Sequence, residues 1–259
     1  VARGAWLDAV EFWRVQCLQK GHDGLALHNI AVLFHTIALD LESLGEAAAT
    51  GGRQAKERDV WWKEAFRAWQ SLRDCPEFWG QFADRLAGRV PGGAHVAFVQ
   101  SVRVNLLAAV ALVNGQLAAE RCSSEEAWQR QVALIDATGY QDADLSPARQ
   151  IAVEPIARTI RASISRAIHE SQTDANLGLA AATRLLDIGR AWLPFFTRAS
   201  LPAERGTLSD ELAAAAMSCL DAYGRATGRW ADLLPAANAA LGVTQSPDTR
   251  ARLNKRIVI

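Results

Sequence analysis

One spacing occurs twice near the start of this chain: Trp6-x-x-Ala9-x-x-x-Trp13 and Trp62-x-x-Ala65-x-x-x-Trp69. On a helix, residues three and four apart share a face, so each copy makes a stripe in which large aromatics flank a small alanine. Such a stripe suits a helix packed closely on a neighbour, the alanine allowing approach and the indoles filling the flanks. Two copies of one unit point to a helical-repeat scaffold, whose usual work is holding other macromolecules.

Composition narrows the alternatives. With 259 residues the chain can bury a large core, as one extended domain or two smaller ones. Its 28 basic residues balance its 28 acidic ones, which argues against a dedicated nucleic-acid binder. Arginine outnumbers lysine and alanine is abundant, the usage of a GC-rich bacterial genome. Glycine and proline fall mostly at breaks between long Ala/Leu/Arg/Glu segments, and alternating β-branched runs are missing, so the chain reads as all-α. Cys17, Cys75, Cys122 and Cys219 are far apart and form no CxxC pair, the pattern of buried thiols in a reducing cytoplasm. The longest uncharged stretch, 104–119, falls short of the ~20 apolar residues that span a bilayer and is expected to be a buried helix, with no membrane partner. The sequence opens on Val1 with no targeting segment ahead of it, as expected for part of a longer chain carrying other modules.

The expected elements follow from punctuation. Helices are predicted over about 4–20, 25–44 and 57–73, with a polar loop at 46–56 around Gly51-Gly52. Asp74-Cys75-Pro76 reads as a cap and first-turn proline opening a helix through about 89. Pro91-Gly92-Gly93 is the clearest break and divides a domain over 1–90 from an all-helical domain over 94–259. A long apolar helix is expected over 94–121. Ser123-x-x-Glu126 has capping-box spacing and opens a short helix closing at Gly139. Ser146-Pro147 is expected to start a helix that Pro155 kinks or divides, Asp174 to cap a helix interrupted at Pro194, and Ser209 to cap the next. A segment around Trp230 contains Pro235, and Ser246-Pro247 opens the last helix. Roughly nine to eleven helices with short turns make a stacked array.

The first 80 or so residues resemble the tetratricopeptide repeat family, whose unit is ~34 residues of two antiparallel helices. Trp6, Ala9 and Trp13 match the family's second helix, and Gly21 falls where that helix normally ends. Leu27, Ile30-Ala31 and Phe34 match the next unit's first helix, while Trp62, Ala65 and Trp69 repeat the second-helix pattern. Gln16 stands where an alanine is expected, and about twenty extra residues separate the two helices of the second unit. No further copy follows Trp79; an ordinary aromatic-rich bundle is the competing arrangement.

The resemblance implies that the unit's first helix lines a concave face, with Leu25, His28, Asn29, Val32, His35 and Thr36 as candidate peptide- or partner-binding residues. Asn29-Ile30-Ala31 has the order in which peptide-binding members hold a peptide backbone or carboxylate, since an amide donates and accepts together. An interhelical hydrogen bond is the other reading of Asn29. His28 and His35 lie two turns apart, ~10 Å along the axis, too far for one metal, and His95 and His169 have no ligand pattern around them. Trp61-Trp62 point about 100° apart, so at most one fully faces a core. P-loop, GxGxxG, HExxH and GxSxG patterns are missing. Asp142-Ala143-Asp144 lacks partners for magnesium, and Arg158, Arg161 and Arg166 form a solvated stripe. No catalytic residue, metal or cofactor is expected. The sequence therefore predicts an all-α, tetratricopeptide-like scaffold or adaptor, chaperone-related by analogy of fold. A small-molecule sensor or enzyme with an apolar interhelical pocket is the alternative.

Overall fold

The computed structural model describes residues 8–9, 11–13, 15–16, 24–43, 52–87, 89 and 94–257. Among them there is no strand: the chain is all-α. The described residues between 8 and 16 are helical, and ten further helices follow in order. They are α1 (Gly24–Ser43), α2 (Gly52–Arg73), α3 (Pro76–Ala87), α4 (Ala94–Glu120), α5 (Glu125–Asp136), α6 (Asp142–Thr173), α7 (Gly178–Arg198), α8 (Pro202–Thr227), α9 (Leu234–Val243) and α10 (Pro247–Ile257). Short 3-10 turns at Ala175–Leu177 and Trp230–Leu233 precede α7 and α9. The chain forms two compact units, Val1–Gln116 with Arg130–Ala148, and Leu117–Gln129 with Arg149–Ile259. The expected break at 91–93 lies outside the described residues, as do 46–51 of the expected loop, and α2 begins at Gly52 rather than near 57.

In the first unit, α1 and α2 run antiparallel. His35 of α1 meets Trp69 of α2, and two turns further along α1 Glu42 meets Trp62, so positions advance on one helix as they recede on the other. The second aromatic stripe faces inward as its spacing demands: Trp62, Ala65 and Phe66 are buried and Trp69 is half-buried. Ala65 joins Ile30, Phe34 and Ile37 in a cluster against which Trp13 and Trp61 pack. Trp6 and Val10 lie outside the described residues; Ala9 is half-buried. Pro76 opens α3, and the Trp79 indole donates to the Leu72 and Arg73 carbonyls, tying α3 to the end of α2. Tyr140 donates to the Phe66 carbonyl at 2.8 Å, and burial pushes its phenol upward from the ordinary value.

The helix expected to be buried over 104–119 is buried along one face only. Leu107, Val110, Ala111 and Asn114 turn inward, while Val96, Phe98 and Val104 are exposed. By length and composition alone, α1 and α4 are each apolar enough to cross a membrane. Gly115 permits the close approach of α4 to Ala148, whose carbonyl oxygen lies 2.4 Å from where a Cβ would stand.

Prolines and serines predicted as boundaries sit inside helices. α6 runs unbroken through Pro147 and Pro155, and α7 through Pro194. An interior proline costs ~3 kcal/mol, but Ala152, Val153, Ile156 and Ile160 all face the interior, and that burial outweighs it. Ser209 lies within α8, whose start is Pro202. The cap of α5 is Ser124, one residue beyond Ser123, accepting from the Ala127 N–H. Gly139 does close the segment after α5, with φ of 72°. Ser246 caps α10 as expected, accepting from the Thr249 N–H. In the second unit Trp128 is fully buried, donates to the Ala152 carbonyl at 3.0 Å and packs on Phe195.

Close packing makes two substitutions costly and one harmless. Ala65→Leu and Gly115→Ala should each lower stability by ~1–3 kcal/mol in urea denaturation, since neither site has room for added atoms. Gly80→Ala, with nothing within 4 Å of its added Cβ, should leave stability unchanged or raise it by ~0.4–1 kcal/mol.

Candidate functional site

The residues singled out on α1 divide by direction. At about 100° per residue, positions 25, 32, 36 and 39 fall within about 60° of arc, with 29 at one margin and 28 and 35 at the other. Leu25 and Val32 are each 41 % exposed and Leu39 is 37 % exposed. Thr36 is exposed, and its hydroxyl donates back to the Val32 carbonyl. Asn29 is half-buried, its Oδ1 lying 3.3 Å from Nδ1 of His28. Ile30, Ala31 and Phe34 occupy the opposite, buried side.

His28 and His35 turn toward aromatic rings instead. His28 stacks on Phe78 with an interplanar angle of 9° and meets Trp69 edge-on. His35 lies edge-on to Trp62 and Trp69 and accepts the Trp69 indole N–H through Nδ1 at 3.0 Å. An indole nitrogen only donates, so Nδ1 carries no proton and the neutral ring holds its proton on Nε2. Burial lowers the His35 pKa from its ordinary value of 6.5. The structure thus brings Leu25, Val32 and Thr36 together on an open face with Asn29 at its edge, and places both histidines beside it, among rings.

Where α1 ends, Glu42 is 2 % exposed and receives donors from two other helices. The Trp62 indole donates to it at 3.1 Å, the Gln131 amide at 2.9 Å and the Arg130 guanidinium at 2.7 Å, while Arg58 stands 3.6 Å away. Arg130 also grips Asp59, through Nε at 3.0 Å and Nη2 at 2.7 Å. Burial lowers the Arg130 pKa, but the hydrogen bonds and charges of Glu42 and Asp59 outweigh it and raise the value overall. So many donors converge on Glu42 that its carboxylate is held fixed between the helices. No cluster of three or more His, Cys, Asp or Glu side chains that could hold a metal occurs among the described residues.

Neither Glu42 nor Arg130 stands out in the sequence. Their only signal is an acid in the last turn of an apolar helix, where the helix dipole disfavours it unless a cation answers. Comparison with protein-family models, curated proteins and solved structures finds no match for this chain.

Two outcomes test this geometry. Because the folded-state pKa of His35 is depressed, its contribution to stability is complete above pH 6.5 and is lost as pH falls through the lower folded value. The drop in melting temperature between pH 7.5 and 5.5 should therefore shrink in His35→Gln. Glu42→Ala strips a buried charge pair of one partner and should cost about 3 kcal/mol or more by denaturant titration.

Proposed function

We propose that this chain is a protein–protein interaction scaffold that takes an amphipathic helix or extended peptide of a partner along the outer face of α1. The observation that carries the reading is the exposed apolar stripe of Leu25, Val32 and Leu39, recurring every seventh residue. That interval brings side chains back to one line on a helix, the spacing by which one helix reads another. Asn29 and Thr36 interleave polar groups, and the Asn29 amide can donate to a partner backbone while its oxygen faces His28. The antiparallel α1/α2 pair, with Trp62 and Ala65 in the core and Trp69 at its edge, supports a tetratricopeptide-like arrangement as part of this proposal. An adaptor role in the cytoplasm, as one module of a longer chain, belongs to the same reading. Its rival, a small-molecule site, finds support in a cavity of the second unit.

Val32→Glu with Leu39→Glu should abolish capture of the partner while leaving the melting temperature within the small range of surface substitutions. Asn29→Ala should weaken capture severalfold with stability unchanged. If the double variant captures its partner as well as wild type, the outer face of α1 is not the binding surface. If Asn29→Ala instead costs ~1 kcal/mol of stability with capture intact, Asn29 is a structural amide.

A further inference from the structure

In the second unit, a cavity of about 210 Å³ opens where α7, α8 and α9 meet, with Gln245 at its edge. Its lining carries no acidic side chain and two arginines, Arg190 and Arg205. Arg190 is occupied: its guanidinium pairs with Asp187 at 2.9 Å. Arg205 makes no ion pair among the described residues, and its Nε is buried with no acceptor. One turn further along α8, Ser209 is 0 % exposed and its hydroxyl likewise has no partner. Residues four apart share a helix face, so both unanswered donors line the same wall. Each costs stability where it stands, because a buried polar atom without a partner loses its hydration for nothing.

Most of the remaining wall is apolar, supplied by Leu186, Leu193, Pro194 and Val243. Room comes from Gly242, where an added Cβ would meet nothing within 4 Å. Asp210, next to Ser209 along α8, is committed elsewhere: its carboxylate accepts the Gln245 N–H at 2.9 Å and the Ser246 N–H at 3.2 Å, holding the rim in place. A guanidinium presents a planar fork that matches a carboxylate, and a hydroxyl beside it supplies a further donor. Several waters would fit the volume, yet the apolar side chains of this wall offer them no hydrogen bond. The volume is small beside sites for drug-sized ligands, which run to ~300–1,000 Å³, and so suits a small ligand.

We propose that this cavity binds a small organic carboxylate with an apolar body, its carboxylate held by Arg205 and Ser209 and its body against Leu186, Leu193 and Val243. The site is independent of the α1 face and rests on different residues.

Calorimetric titration of the full chain with benzoate, hexanoate and inorganic phosphate tests the assignment. At least one carboxylate should bind saturably, with phosphate about tenfold weaker or worse for want of an apolar body. Arg205→Met should weaken carboxylate binding by about tenfold or more. Ser209→Ala should weaken it severalfold without lowering the melting temperature, because the hydroxyl removed has no partner in the fold. Gly242→Leu, which fills the cavity from α9, should block binding by a second route. The α1 variant Val32→Glu/Leu39→Glu should bind carboxylate as wild type does, which keeps the two sites separable. The proposal is overturned if neither carboxylate binds, if phosphate binds as tightly as they do, or if Arg205→Met binds like wild type.

Discussion

A carboxylate withdrawn from water at the end of α1 sets the arrangement of the first unit. An isolated buried charge of this kind costs several kcal/mol, and at a helix C-terminus the dipole adds to the cost. Glu42 is tolerated because an indole, an amide and a guanidinium all donate to it. Those donors come from α2 and α5, so a single side chain ties the registers of three helices together. A shift of one residue in any of them would leave a charge buried without its answer. Arg130 extends the tie by holding Asp59 with its remaining donors.

With its C-terminal end pinned, α1 presents three different strips. Ile30, Phe34 and Ile37 fill the core with Ala65. His28 and His35 lie among Trp62, Trp69 and Phe78, the neutral His35 ring serving as acceptor for an indole. The third strip carries Leu25, Val32 and Leu39 and is left exposed. A helix locked on two sides offers its third side already ordered, so a partner would meet a preorganised surface and lose less entropy in binding it.

The sequence made the all-α class legible, because helical periodicity and scattered glycines are local signals. It also made the burial of Trp62 and Ala65 legible, since their spacing defines a face. Proline and serine misled it. Pro147 read as a helix start and Pro194 as an interruption, but burial of the surrounding helix outweighs a missing hydrogen bond, and that burial is a long-range property. Ser209 looked like a cap because serine competes for backbone groups locally; its place on a cavity wall depends on α7 and α9, far away in sequence. The α1 residues could be named from their register, but which of them face rings depends on α2 and α3. Glu42 and Arg130, 88 positions apart, leave no pattern that a single sequence displays.

The two units carry surfaces of different chemistry. The first offers an apolar stripe on a fixed helix; the second encloses unanswered donors within an apolar wall. The stripe bears the central claim, and site-specific photocrosslinking addresses it most directly. A crosslinker placed in turn at positions 32, 36 and 39, with positions 154 and 225 as exposed controls, would be activated in extracts of the source cells. The account predicts one discrete crosslinked partner from the three α1 positions and none from the controls. Crosslinks of equal yield from the controls, or none from α1, would contradict it.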